Sequence, residues 1–187
     1  CFQFIAKGAK WKTIEGYVVN PSNSEGISSG FLTGNLASNI QKWEDAAGVN
    51  IVGSGSSTNA QLEADEVSPD DVNEVYFWDI SGFGSVAVTI IWGVFSGPPS
   101  GRELVEWDQV YDEVSWNWSN DCLSENCSTK FDFENIATHE LGHTMGLSDL
   151  YTLTCTEETM YGFVDFNEVK KRDLAQGDIN GVQQLYV

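Results

Sequence analysis

The clearest hydrophobic pattern in the chain is that of one long amphipathic helix near the amino terminus. Between residues 28 and 47, apolar side chains recur every three or four positions, which places them on a single helical face. These side chains are Leu32, Leu36, Ile40, Trp43 and Ala47. Gly48 follows, at the position where a glycine commonly ends a helix. The pattern therefore predicts a helix over 28–47.

Short segments rich in β-branched and aromatic residues predict strands on both sides of this helix. The predicted strands cover residues 11–19, 49–52, 75–79, 86–92 and 103–107. The polar Gly/Ser segment 53–59 is predicted to be a connection, and residues 97–101 a sharp turn between the last two strands. A long helix among strands, with more helix towards the carboxyl end, is typical of an α+β or α/β domain.

Composition and charge narrow the class of protein. The 187 residues suit a single domain over 1–187, and ample aromatic and aliphatic side chains are present to form a core. Nine Lys and Arg against 28 Asp and Glu give a net charge of −19, which repels nucleic-acid phosphates and anionic membrane surfaces. No apolar run approaches the ~18 residues of a membrane-spanning helix. We therefore expect no nucleic-acid partner and no membrane insertion.

Acidic side chains are concentrated in one segment, residues 63–74, which contains six of the 28. Carboxylates are calcium ligands, so this segment is a candidate calcium loop. It lacks the regular ligand spacing and the glycine of an EF-hand, which favours a solvated acidic loop instead. Structural calcium remains an open alternative here.

The cysteines indicate an oxidising compartment. Cys1, Cys122, Cys127 and Cys155 form an even set, and two glycosylation-type sequons begin at Asn117 and Asn126. If disulfides form, Cys122–Cys127 is the natural short-range pair, and Cys1 is left with Cys155. A lipid-modified Cys1 is the alternative for the first cysteine. The chain starts without Met, as expected if a signal segment or pro-segment has been removed or the sequence trimmed.

A second helix is predicted to begin after Asp132, which is a good N-cap. Phe133, Ile136, Ala137 and Leu141 provide its apolar face. This helix bears the residues with the clearest chemistry in the chain.

The two histidines of the sequence, His139 and His143, lie one turn apart on this helix, so both imidazoles project from the same side. Two nitrogens so placed can bind one zinc ion, and Glu140 between them can take a proton from a bound water. Gly146 is expected to end the helix in a left-handed turn, after which Asp149 can return as a third ligand. Three protein ligands and one water are typical of a catalytic zinc site.

These residues carry a family resemblance. The segment His139-Glu140-x-x-His143-x-x-Gly146-x-x-Asp149 resembles the zinc signature of the metzincin metalloproteases, with aspartate in place of the usual third histidine, as in snapalysin-like members. Residues 159–162 resemble the metzincin methionine turn, and residues 177–186 resemble the last helix of the matrixins. The match is specific over 131–187 and only architectural before that.

The resemblance implies an α+β fold with a twisted, mostly parallel five-stranded sheet, one antiparallel edge strand, two long helices and a C-terminal helix. It implies one catalytic domain with an upper subdomain of about 1–146 and a lower subdomain of about 147–187. Met160 would form an apolar floor beneath the zinc, and Asp178 would hydrogen-bond the methionine turn. Tyr161 is one residue too early to match the tyrosine ligand of astacins and serralysins, so we do not expect it to bind metal.

The resulting hypothesis is a secreted, monomeric zinc endopeptidase, made as a zymogen, that cleaves protein or peptide substrates. Glu140 would be its general base and acid. Tyr161, Phe163 and Phe166 would wall the S1′ pocket and favour apolar side chains. One alternative is a catalytically silent, zinc-containing binding domain, although Glu140 is intact. Another is a gluzincin-type peptidase with Glu168 as third ligand, 25 residues beyond His143.

Overall fold

The structure is a computed structural model that describes residues 1–187, with seven strands and three α-helices. The first half contains β1 (Glu15–Val19), α1 (Ser29–Ala47), β2 (Val52–Ser57), β3 (Asn73–Trp78) and β4 (Ala87–Val94). The second half contains β5 (Glu103–Asp112), β6 (Asn117–Ser119), β7 (Lys130–Asp132), α2 (Phe133–Thr144) and α3 (Gln176–Tyr186). None of the helices is both long enough and apolar enough to cross a membrane.

Five strands form one sheet in the order β2-β1-β3-β5-β4. All neighbouring pairs are parallel except β4 with β5, which is antiparallel and leaves β4 at the sheet edge. Strands β6 and β7 pair separately. The predicted α+β fold, with a mostly parallel five-stranded sheet and one antiparallel edge strand, is confirmed.

The first helix is confirmed almost to the residue, because its end signals are local. The Ser28 side chain accepts a hydrogen bond from the Phe31 N–H at 3.2 Å, and Gly48 ends α1 with φ of +73°. The predicted apolar face is buried in the main core. Its Trp43 indole donates to the Thr138 carbonyl at 2.9 Å, which joins α1 to α2.

The prediction for the second strand is wrong. Residues 49–51 lie outside it, and β2 runs instead through the Gly/Ser segment that we predicted to be a connection. Its backbone pairs in parallel with β1, from Glu15 opposite Val52 to Val19 opposite Ser57. Backbone pairing needs no β-branched side chain, and the small residues of β2 leave room for the Tyr17 ring. Because these residues have low strand propensity, the composition of the segment did not indicate a strand. Strand β5, which corresponds to the last of the predicted strands, extends beyond the predicted end at 107 to Asp112.

Both predicted disulfides are present, Cys122–Cys127 and Cys1–Cys155. The second links positions 154 residues apart and ties the amino-terminal segment to the loop after α2. The division of the domain into upper and lower parts near residue 146 stays a prediction.

Candidate metal and catalytic site

The start of helix α2 is fixed by polar and aromatic contacts. The Asp132 carboxylate accepts a hydrogen bond from the Asn135 N–H at 2.9 Å and another from Arg172 Nε at 2.8 Å. The Phe133 ring lies 5.0 Å from the Tyr111 ring and 5.9 Å from the Phe77 ring, within the main core. The helix that bears the histidines is therefore held against the sheet from its first residue.

The end of α2 is set by Gly146. This residue has φ of +101°, and an added Cβ would lie 2.9 Å from Leu185 and 3.1 Å from the Ala9 carbonyl oxygen. The Leu147 N–H donates back to the Gly142 carbonyl at 3.0 Å. The predicted left-handed turn is confirmed, and it returns the chain towards the two histidines.

His139, His143 and Asp149 meet at one point, with their potential ligand atoms all within 4.8 Å of one another. Asp149 Oδ1 lies 3.2 Å from His139 Nε2 and 3.6 Å from His143 Nε2. This oxygen is buried and has no hydrogen-bond partner. An unpartnered buried carboxylate oxygen is costly, which indicates that a cation belongs beside it.

The orientation of both imidazoles is determined by backbone carbonyls. His139 Nδ1 lies 2.7 Å from the Thr159 oxygen, and His143 Nδ1 lies 2.9 Å from the Leu147 oxygen. A carbonyl can only accept, so each Nδ1 carries a proton and donates it, and in the neutral form of each imidazole Nε2 presents its lone pair to the shared point. Two imidazole nitrogens and a carboxylate oxygen form a donor set that zinc favours, so these residues fit the ion.

The electrostatics of the group also favour a cation. Burial disfavours the charged form of His143, but the Asp149 and Glu140 carboxylates outweigh it and raise the His143 pKa to about 9. Burial acts against ionised Asp149 as well, yet the two histidines hold its pKa far below the usual range. The carboxylates that stabilise a proton here would equally stabilise a metal ion.

Glu140 lies beside this group in a cleft of about 700 Å³, between α2, strand β4 and the segment after residue 148. Its Oε2 accepts a hydrogen bond from the Thr89 hydroxyl at 2.6 Å. Thr89 belongs to edge strand β4, 51 residues earlier in the sequence. Thr89 was not predicted, because no local signal connects a strand threonine with a helix glutamate.

The predicted methionine turn lies directly beneath the helix. Met160 is buried, and an added Cβ at Gly142 would overlap the Met160 sulfur, so the two residues are in close contact. The N–H groups of Thr159 and Met160 donate to the Asp178 carboxylate at 2.7 and 3.1 Å. The predicted hydrogen bonds from the turn to Asp178 are confirmed. That Met160 forms the floor of a metal site stays a prediction.

The residues predicted to wall the specificity pocket separate in the structure. Phe163 lines the cleft, whereas Phe166 lies outside its lining and packs against Phe131, with the ring centroids 4.7 Å apart. Tyr161 is also absent from the lining, although its ring lies 5.7 Å from that of Phe163. The buried Lys171, which the sequence analysis did not single out, lines the cleft and donates to the Tyr161 and Phe163 carbonyls.

Glu168, the rival third ligand, lies outside the His139–His143–Asp149 group. Its Oε1 accepts a hydrogen bond from Asn135 Nδ2 at 3.3 Å and lies 4.0 Å from Lys171 Nζ.

The second carboxylate oxygen of Asp149, Oδ2, accepts a hydrogen bond from the Tyr151 hydroxyl at 3.1 Å. Like the contact between Thr89 and Glu140, this one was not predicted from the sequence.

A second carboxylate group lies outside the lining of this cleft. Asp65 Oδ2 and Glu106 Oε1 are buried without a hydrogen-bond partner, and Asp108 completes a group whose ligand atoms lie within 4.8 Å. Burial and then neighbouring like charges raise the pKa of Glu106 and that of Asp108 to about 7 each. Asp65 comes from the acidic segment 63–74, and the other two come from β5. The sequence could not indicate that strand and segment meet.

The chain is similar to proteins of a known family. The matrixin family profile matches residues 41–187. Metalloendoproteinase 1 of Glycine max is 36% identical over 92 residues, which are 48% of this chain and 26% of that protein. Metalloendoproteinase 5-MMP of Arabidopsis thaliana is 31% identical over 94 residues, 49% of this chain and 24% of that protein. The aligned part thus spans about a quarter of the length of these relatives. Since the family profile covers well over half of the residues, the chain belongs to the matrixin family.

Proposed function

We propose that this chain is the catalytic domain of a zinc-dependent endopeptidase that cleaves protein or peptide substrates. The observation that carries the proposal is the convergence of His139 Nε2, His143 Nε2 and Asp149 Oδ1 beside Glu140 in an open cleft. Membership of the matrixin family and the similarity to plant metalloendoproteinases support it.

His139, His143 and Asp149 would hold one zinc ion. Bound zinc acidifies its water and polarises the scissile carbonyl. The backbone carbonyls of Thr159 and Leu147 keep the two histidines in the ligating tautomer. The Tyr151 hydroxyl donates one hydrogen bond to Asp149. The zinc ligands thus come from both ends of the turn at Gly146, which supports a division into an upper part, about 1–146, and a lower part, about 147–187.

Glu140 would accept a proton from the attacking water and then deliver it to the leaving amine. The Thr89 hydroxyl holds one carboxylate oxygen, which leaves the other oxygen to face the cleft. Strand β4 lies at the sheet edge, and its residues line the cleft, so an extended substrate could pair with it by backbone hydrogen bonds. The strand that receives the substrate would therefore also orient the base.

We expect Thr89→Val to lower kcat by roughly tenfold with little change in KM or zinc content, because a hydrogen bond to a charged group is worth ~1.5–3 kcal/mol. Thr89→Ser keeps the hydroxyl and should restore most of the activity. Thr33→Val, at a half-buried position of α1 outside the cleft, is the matched control. An unchanged kcat in Thr89→Val would show that Glu140 is oriented without this contact.

We expect Met160→Leu to keep zinc and to lose only a modest part of the activity and stability. The proposed role of Met160 is packing against Gly142, and swaps of similar volume usually cost less than ~1.5 kcal/mol. Zinc content by elemental analysis and thermal denaturation measure the effect. Complete loss of zinc would contradict the role of this turn as a packing floor.

The proposal also covers the localisation, oligomeric state and activation of the protein. We propose a secreted, monomeric protein that is made as a zymogen; the two disulfides support an oxidising compartment, and the net charge of −19 disfavours nucleic-acid partners. The S1′ wall is proposed to involve Phe163, with its backbone held by Lys171.

A catalytically silent zinc-binding domain is the alternative, and intact Glu140 within the cleft disfavours it. Incubation with casein or a quenched peptide, with and without a zinc chelator, distinguishes the two. Chelator-sensitive cleavage supports the peptidase. Zinc binding without any cleavage across a broad peptide set would favour the silent domain.

We also propose that the structural calcium left open by the sequence lies at Asp65, Glu106 and Asp108. Calcium binds through oxygen ligands, and two oxygens of this group are buried without partners. The pKa values of Glu106 and Asp108 are raised, so their ionisation costs folded-state stability. The calcium-free protein should therefore lose thermal stability as pH rises from about 4, the ordinary carboxyl pKa, to about 7, and level off above that; calcium should restore the lost stability.

Glu106→Gln tests this site, because it should raise the stability of the calcium-free protein and also reduce the stabilisation that calcium provides. The variant should be more stable than wild type at pH 8 without calcium, since one buried charge is removed. It should also lose most of the rise in melting temperature that calcium gives wild type. Glu103→Gln, at the half-buried start of β5, is the control. An equal calcium response in Glu106→Gln and wild type would rule out the site.

A further inference from the structure

The segment that carries Asp149 is held along one edge by the amino-terminal residues. The Ile5 N–H donates to the Gly146 carbonyl at 3.0 Å, and the Ser148 N–H donates to the Gln3 carbonyl at 2.8 Å. These two bonds flank an antiparallel bridge between Phe4 and Leu147. Residues 3–5 thus act as a short strand beside 146–148.

The same segment is held along its other side by the methionine turn. The Leu150 N–H donates to the Met160 carbonyl at 2.8 Å, and the Gly162 N–H donates to the Leu150 carbonyl at 2.9 Å. Asp149 therefore lies between a residue bonded to the amino-terminal segment and a residue bonded to the turn.

The Cys1–Cys155 disulfide links the amino-terminal segment covalently to the loop that follows Asp149. Cys1 lies two residues before Gln3, and Cys155 lies six residues after Asp149 in a short 3₁₀ turn. Cys155 is buried, and its N–H donates to the Thr152 carbonyl at 2.8 Å. The disulfide thus fastens residues 3–5 to the same loop whose first part they pair with.

The Asp149 side chain has little other support. Its Oδ1 has no hydrogen-bond partner, and its Oδ2 has only the hydroxyl of Tyr151, a side chain that is 61% exposed. The direction of the carboxylate therefore depends on its backbone, which residues 3–5 hold on one side and the methionine turn holds on the other.

We propose that the Cys1–Cys155 disulfide is a positioning element for Asp149, which it holds in place by keeping residues 3–5 paired with 146–148. The inference rests on the proposed zinc site and adds a determinant of its affinity outside the ligands. Loss of the disulfide should weaken zinc binding by about 10–100-fold, the range found when partners that orient a ligand are removed.

The test compares zinc dissociation constants, measured by competition with a chromophoric chelator under conditions where each variant is folded by circular dichroism. Cys1→Ser/Cys155→Ser should bind zinc about 10–100-fold more weakly than wild type. Cys122→Ser/Cys127→Ser removes the other disulfide and should bind as wild type does. In an Asp149→Ala background, removal of Cys1 and Cys155 should change the affinity by less than about threefold, because the ligand that the disulfide positions is already absent.

Two further measurements separate positioning from general destabilisation. In metal-free protein, hydrogen exchange at the Ser148 amide should speed up in Cys1→Ser/Cys155→Ser but not in the control. Ile5→Pro keeps the disulfide and removes the hydrogen bond to Gly146, so it should weaken zinc binding in the same direction, and it provides the test if the double variant does not fold.

A failure of this inference can be distinguished from a failure of the proposed function. Wild-type affinity in the folded cysteine variant and in Ile5→Pro would overturn the inference, as would an equal loss in the Asp149→Ala background. If wild-type protein binds no zinc, the proposed function itself fails.

Discussion

Glu140→Ala is expected to abolish peptidase activity almost completely while leaving zinc in place. The three proposed ligands are untouched by this change, so the metal should be retained at one ion per chain. General-base assistance is typically worth ~10²–10⁴-fold, and we expect kcat to fall by that factor with a much smaller change in KM. Initial rates on a quenched peptide and zinc content by elemental analysis measure the two effects on the same sample.

The matched control for this prediction is Glu134→Ala, on the first turn of the same helix. Glu134 lies 3.4 Å from Lys42 Nζ and outside the cleft, so its loss should leave kcat near wild type. If Glu140→Ala kept more than about half of the wild-type activity, the assignment of Glu140 as general base would be wrong.

Asp149→Ala is expected to lower zinc occupancy sharply, whereas Glu168→Ala should leave zinc and activity near wild type. Asp149 Oδ1 lies between the two histidine Nε2 atoms, and Glu168 is bonded to Asn135 instead. Removal of one of three protein ligands leaves two imidazoles, which hold zinc far less tightly. Dialysis against a weak chelator followed by elemental analysis measures the occupancy.

This pair of variants decides between two zinc-site plans. Wild-type zinc content in Asp149→Ala together with zinc loss in Glu168→Ala would contradict Asp149 as third ligand and support the gluzincin alternative. Asp149→Asn is a useful companion, because it keeps the shape of the side chain and removes its charge. It should retain more zinc than Asp149→Ala and less than wild type.

The parts of the fold that the sequence predicted well are those with local signals. Ser28 and Gly48 bound α1 through contacts within a few residues, and Gly146 ends the turn after α2 through its own backbone angle. Strand β2 was missed because its stability comes from pairing with β1, more than thirty residues away, and its own residues have low strand propensity.

In the candidate site too, residues with a local sequence signal were predicted and residues without one were not. The spacing of His139, Glu140 and His143 is a property of one helix, so the sequence shows it directly. Thr89 and Lys171 reach the site only through the tertiary fold, and nothing in their neighbouring residues marks them. Tyr151 lies only two residues after Asp149, but the spacing does not show that its hydroxyl turns back to that carboxylate. The Asp65–Glu106–Asp108 group is even less predictable from the sequence, because it forms only when a loop and a distant strand meet.

The most direct test of the central claim is a zinc titration of metal-free protein, followed by activity on a quenched peptide. We predict that the activity of wild type rises linearly with added zinc and reaches its plateau at one equivalent. Glu140→Ala should bind the same single equivalent, and its activity should stay near zero throughout. Peptide cleavage by wild type that is unaffected by metal depletion, or a metal-loaded Glu140→Ala as active as wild type, would contradict the account.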